Sequence, residues 1–172
     1  MKLSSLKPGD YLSFYQTYLD YLPDEDLIDL LKTSRDEFLQ FLDTLKEADL
    51  QHYYAEGKWT VAQVLQHLLD TERIFQYRAL CIARNDLTSL PGFDQDAYVP
   101  ASKANKRSLV SFRVEFELVR NSGISLFESF SDEMLTTQGN ANGSNFIPLA
   151  AGFITAGHQK HHLILFQERY GL

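Results

Sequence analysis

The sequence predicts an all-α protein: a four-helix bundle with a long crossover between the second and third bundle helices, preceded by a short N-terminal helix. Three observations predict it. Four stretches carry apolar residues at helical intervals over several turns. Start and stop signals bracket them. Residues 86–104 hold about twenty residues with no sustained period, and such a length fully extended spans about 60 Å, enough to traverse a helix from end to end. A connection of that reach allows the third helix to run parallel to the second.

Taken in order, Asp10 after Pro8-Gly9 is placed to cap a short helix in which Tyr11, Phe14, Tyr15, Tyr18 and Tyr21 recur at helical intervals as a packing surface. Leu22-Pro23 ends it, because the residue before a proline avoids helical geometry. The first bundle helix runs from about Asp26 to Leu45, with Leu27, Leu30, Leu31, Phe38, Phe41 and Leu42 on one face. The pattern lapses through Gln51-His52-Tyr53-Tyr54, and His52 reads as a solvated loop residue. Thr60 and Gln63 then form a capping box, with Trp59 and Val64 placed as a hydrophobic staple, for a second helix extending to about Arg84.

The third helix spans about Arg107 to Phe130, with Leu109, Phe112, Phe116, Leu118, Val119, Ile124 and Phe127 as inward candidates. Gly123 weakens it or marks a close approach. Arg120, among apolar neighbours, reads as either a surface residue whose stem lies along them, the preferred reading, or an anion-binding group. Turn formers from Gln138 to Asn145 make a loop. Pro148 suits the first turn of the last helix and Gly171 its stop. Gly152 and Gly157 lower that helix's propensity by about 1 kcal/mol each, and Gly157 leaves space beside His158 for a neighbouring helix or a ligand.

Composition bounds the function. A chain of 172 residues suffices for one well-buried core, so residues 1–172 are expected to form one domain with 1–23 packed on the bundle. A net charge of −7 opposes phosphate backbones and anionic surfaces, so neither nucleic acid nor a membrane is expected as partner. No uncharged run is long enough to span a bilayer, and the first ten residues have no signal-peptide core. The single cysteine, Cys81, excludes an intrachain disulfide and fits a reducing compartment; the cytoplasm is the expected location. The aromatic share of 13% and the N-terminal tyrosine stripe point to a homodimer.

Chemistry concentrates in Gly157-His158-Gln159-Lys160-His161-His162. His158 and His162 are four apart on one helical face, with Cβ atoms about 6 Å apart, and can share a metal ion. A catalytic site commonly takes three protein ligands, and His67 on the second helix is the candidate for the third. His161, three residues after His158, makes a second pairing geometrically possible. Cys81 lies about 21 Å along the helix from His67 and is out of reach. Asp70 and Glu72 are either outer partners that orient imidazole N–H groups or solvated charges. Gln159 stands where a zincin-type protease carries its glutamate, which argues against that chemistry.

Gly57-Lys-Trp-Thr-Val-Ala-Gln-Val-Leu-Gln-His67, Asp70-Thr-Glu72-Arg73, Leu90-Pro-Gly-Phe-Asp94 and Ala156-Gly-His-Gln-Lys-His-His-Leu163 together resemble the DinB family of four-helix-bundle metalloenzymes. The resemblance runs from about residue 24 to the C-terminus. It implies a divalent metal held by His67, His158 and His162, with His161 a flanking residue. Three neutral imidazoles suit zinc or nickel, with iron or copper as further options. Two function classes follow: a metal-dependent enzyme, in which relatives resembling this chain use a low-molecular-weight thiol and a small-molecule substrate, or a dimeric interaction module with a structural metal. Catalytic residues beyond the ligands are not identifiable, and the loops around Trp59 and residues 86–104 are the expected walls for a substrate.

Overall fold

The structure, a computed structural model, describes residues 1–172. Four long helices build the bundle: α2 (Leu27–Thr44), α3 (Val61–Ala83), α5 (Leu109–Glu128) and α7 (Pro148–Leu165). Three shorter ones accompany them: α1 (Gln16–Leu19), α4 (Gln95–Ser102) and α6 (Asp132–Leu135). A two-stranded hairpin, β1 (Gly139–Ala141) and β2 (Ser144–Phe146), precedes α7. None of the helices is long and apolar enough to cross a membrane.

The helix starts follow local chemistry. Asp26 caps α2 by accepting from Ile28 N at 3.0 Å, and its other oxygen holds the N-terminal ammonium at 2.6 Å. Thr60 and Gln63 form the reciprocal box at α3, at 3.2 and 2.8 Å. Ser108 caps α5, while α7 begins at Pro148 with no side-chain cap. Its last turn, Phe166–Tyr170, widens to a π-helical turn and stops at Gly171, whose φ of 71° is left-handed.

Side-chain pairings give the topology. Gln66 meets Arg107 ahead of α5, Glu72 meets Arg120, and Gln76 lies against Gly123, so α3 and α5 run parallel as the long crossover predicts. Lys32 with Glu128 and Asp43 with Arg113 set α2 antiparallel to α5. Leu27 against Gly152, Ser34 with Gln159, and Phe41 stacked on Phe166 set α2 parallel to α7. His67 with His158 and Trp59 with Tyr170 set α3 antiparallel to α7. The bundle is thus α2–α5–α3–α7 around a square, with α2 and α3 on one diagonal.

Two apolar clusters fill the bundle, one around Leu31, Phe75, Ile124 and Phe153, the other around Phe38, Leu69, Phe116 and Leu163. Between them every helix contributes a buried polar residue: Ser34, Glu72, Arg120 and Gln159. Arg120 Nε and Nη2 donate to the two oxygens of Glu72 at 2.8 and 2.9 Å, and Nη1 donates to Ser34 Oγ at 2.8 Å. Gln159 Nε2 donates to Ser34 O at 2.8 Å. Arg120 is therefore not on the surface: its exposure is 0%, and it bridges three helices. Of its two readings the surface one fails and the anion-binding one holds, because a carboxylate partner lies 48 residues away in sequence.

Other expectations change. Leu118 is 65% exposed, because the buried stripe runs through Phe112, Phe116, Val119 and Gly123 and leaves it on the opposite face. Asp10 does not cap a helix; it accepts from Lys7 N at 2.8 Å, and the N-terminal helix shortens to a 3₁₀ turn at Ser13–Tyr15 followed by α1. The crossover contains α4, capped by Asp94, which is too short to show a period. The Gln138–Asn145 loop includes the hairpin, with Asn142 at φ 55° and Gly143 at φ 75° as its two-residue turn. That hairpin pins the crossover, since Leu90 N donates to Asn140 O at 3.0 Å and Asn142 N to Leu90 O at 2.9 Å.

Removing one partner of the buried ion pair leaves the other charge uncompensated. Glu72→Ala and Arg120→Ala should each cost about 3–5 kcal/mol in a denaturant titration, whereas the double Arg120→Met, Glu72→Leu change should cost far less than the sum.

Candidate metal centre

The centre is assembled from two helices. His67 lies in the second turn of α3, and His158 and His162 lie on successive turns of α7. Because α3 and α7 are antiparallel neighbours, the three rings face one another. His158 Nε2 is 3.0 Å from His67 Nε2 and 3.1 Å from His162 Nε2, and all three potential ligand atoms lie within 4.8 Å of one another. The rings meet edge to face, at 72° to 90°.

All three are buried. Burial lowers the His67 pKa from its ordinary 6.5 to about 4. Burial first, then the neighbouring imidazoles, hold His158 and His162 well below the ordinary value. At neutral pH the rings are uncharged and each offers a lone pair. Thr71 Oγ1, one turn after His67, lies 3.4 Å from His67 Nδ1; a proton on Nδ1 facing it leaves Nε2 free to point inward. No sequence signal marks Thr71 except its position four residues beyond the histidine. His162 Nδ1 is enclosed without a partner.

The donor set fits a divalent ion. For bonds of about 2.0–2.1 Å in tetrahedral arrangement, neighbouring imidazole nitrogens stand about 3.3 Å apart. The two spacings about His158, 3.0 and 3.1 Å, come close to that, and the third pair lies within 4.8 Å.

The remaining candidates fall outside. His161 packs between Tyr18 and Tyr21, at ring separations of 5.3 and 6.0 Å. His52 lies by Tyr170 O at 3.1 Å, away from the three. Asp70 accepts from Gln66, and Glu72 is committed to Arg120, so neither carboxylate touches an imidazole. Cys81 stays partly buried in the other apolar cluster.

Two cavities reach the histidines from different sides. One, of about 190 Å³, opens on His67 and His158 and is walled by Phe14, Tyr15, Phe75 and, from the crossover, Phe93. The other, of about 240 Å³, opens on His162 between Tyr54, Trp59, Tyr170 and Asp96. Both loop segments expected as walls do line these spaces. Gly157 contributes indirectly: a Cβ there would sit 2.4 Å from the Tyr18 carbonyl oxygen, so its absence lets α1 close over His158.

A family model described as the DinB superfamily matches residues 30–165. The chain belongs to the DinB superfamily. Among its relatives, a protein of Oceanobacillus iheyensis named "Putative metal-dependent hydrolase" is 26% identical over 146 residues, covering 81% of this chain and 82% of that one. The DinB fold is shared with YfiT from Bacillus subtilis, described as "a probable metal-dependent hydrolase with an unusual four-helix bundle topology", at a TM-score of 0.76 and 17% identity over 96% of this chain and 92% of that one. A mycothiol-dependent maleylpyruvate isomerase aligns with a TM-score of 0.69 and 12% identity, over 85% of this chain and 61% of the isomerase.

The depressed histidine pKa values carry a stability consequence for this DinB protein. Between pH 6.5 and about 4 the unfolded chain protonates His67 while the folded protein does not, so stability is lost as pH falls through that window. Chelator-treated protein should show this loss in denaturant midpoints, and His67→Leu should flatten the slope. An unchanged slope would mean another group governs it.

Proposed function

We propose that His67, His158 and His162 hold one divalent metal ion, zinc or nickel before iron or copper, in an enzyme that transfers a low-molecular-weight thiol to a small electrophilic substrate. The observation carrying this reading is the convergence of three neutral imidazole nitrogens between two separate cavities. Two approaches to one centre suit a reaction of two partners. The thiol-dependent enzyme of similar fold adds support.

Such an ion supplies Lewis acidity, which makes the proton of a thiol or water easier to remove at neutral pH. The chain's own residues do the rest. Burial keeps the imidazoles neutral, Thr71 orients His67, and the aromatic walls exclude bulk water. With Glu72 bound to Arg120 and Asp70 turned to Gln66, both of these α3 carboxylates are committed elsewhere, and the carboxylate that lines the approach to the imidazoles is Asp96, in the cavity that opens on His162. Hydrolysis, with water as the nucleophile in the same site, is the second reading, favoured by the names of two relatives.

Alanine at His67, His158 or His162 should abolish metal retention in elemental analysis, whereas His52→Ala should retain it. Thr71→Val should weaken metal affinity roughly 10–100-fold. Thiol conjugation should vanish in His158→Ala and persist in Cys81→Ser; turnover of the electrophile with the thiol omitted would favour hydrolysis. The chelated protein should keep its helical circular dichroism, because the two apolar clusters and the ion pair do not involve the metal.

Self-association is a separate proposal: Leu12, Phe14 and Tyr21 stay exposed on the N-terminal segment, where a second copy would cover them as a homodimer. A monomeric mass by light scattering at micromolar concentration would rule it out.

A further inference from the structure

Arg78 is the second deeply buried arginine, with an exposure of 3%. It differs from Arg120 in its partners. Arg120 has a bidentate carboxylate, whereas no acidic group lies within ion-pair distance of Arg78. Of its five N–H donors, one bonds to protein, from Nη2 to Pro91 O at 2.7 Å. The guanidinium carbon stands 5.9 Å from the ring of Phe75, which precedes Arg78 by about one turn of α3.

His67, Thr71, Phe75 and Arg78 occupy one face of α3, and all four line the cavity of about 190 Å³ that opens on His67 and His158. None of the remaining guanidinium nitrogens is fully enclosed without a partner, and Arg78 is among the residues that line this cavity. Burying a cation without a counter-charge is costly, and a chain of net charge −7 had acidic residues to spare for it. A single carbonyl does not offset that cost. The planar fork that Arg78 presents matches a carboxylate.

We infer that Arg78 is a specificity residue that binds the carboxylate of a small, partly apolar substrate acid, whose other end lies against the histidine cluster between Phe14, Tyr15, Phe75 and Phe93. The space equals roughly six waters, which restricts the ligand to a small molecule. The inference rests on the proposed enzymatic reading of the histidine site for its meaning, although the anion subsite itself is testable without turnover.

The test is calorimetric titration of the full-length protein, as purified, with phenylacetate and with its neutral analogue phenylacetamide. Metal content is measured on the same preparations. The wild type should bind phenylacetate roughly tenfold or more tightly than the amide. Arg78→Met should erase that preference while keeping metal content and melting temperature, and Arg78→Lys should restore part of it. Equal affinity for acid and amide in the wild type, or undiminished preference for the acid in Arg78→Met, overturns the inference, the latter by placing the carboxylate elsewhere, such as on the metal. Loss of preference in Arg78→Met with no metal in any preparation upholds the anion subsite and defeats the metal reading instead. Should Arg78→Met not fold, the acid-to-amide ratios of wild type and Arg78→Lys decide between these outcomes.

Discussion

The bidentate pair between Arg120 and Glu72 is the constraint on which the rest of the bundle depends. A buried guanidinium and carboxylate must meet each other with good geometry, and each costs several kcal/mol if left alone. Their pairing fixes the register of α5 on α3. Because the spare Arg120 nitrogen reaches Ser34, and Gln159 bonds to the Ser34 carbonyl, the same network sets α2 and α7. Apolar packing alone tolerates small slides of one helix along another. A polar layer across four helices tolerates fewer, and the histidines sit directly beside it.

That placement explains how a site of three imidazoles is held without carboxylates. The acids of α3 that might have oriented the rings are used elsewhere, one in the ion pair and one by Gln66. Orientation falls instead to Thr71, to the Trp59 ring 5.1 Å from His67, and to Tyr18 at 5.2 Å from His158. Dense aromatic surroundings have an electrostatic consequence as well, since they keep the rings neutral and able to act as donors at physiological pH.

The irregular segments build the access. Between α3 and α5 the chain must travel the length of the bundle, and it does so along a path pinned by the hairpin at Leu90 before α4 turns beside the cavities. From the other side, the N-terminal segment lays Tyr15 against Phe75 and Phe146 and covers His158 through the gap at Gly157. A four-helix core thus acquires two small, aromatic-walled approaches from segments outside the four helices.

The sequence by itself determined the all-α class, the four long helices, most of their boundaries and the family. Each of these is written in local signals: a 3.6-residue apolar period, a capping box at Thr60 and Gln63, a proline at 148, a glycine at 171. It also singled out His67, His158 and His162 as candidates, although resemblance, not spacing, prefers His162 to His161. Only the tertiary structure decided the partner of Arg120, the involvement of Thr71, the use of Glu72, the covering of Gly157 and the lack of a carboxylate at Arg78. All of these depend on which residues of distant segments meet. A charged residue among apolar neighbours reads the same in one dimension whether it faces water or a partner 48 residues away; burial and pairing exist only once the helices pack.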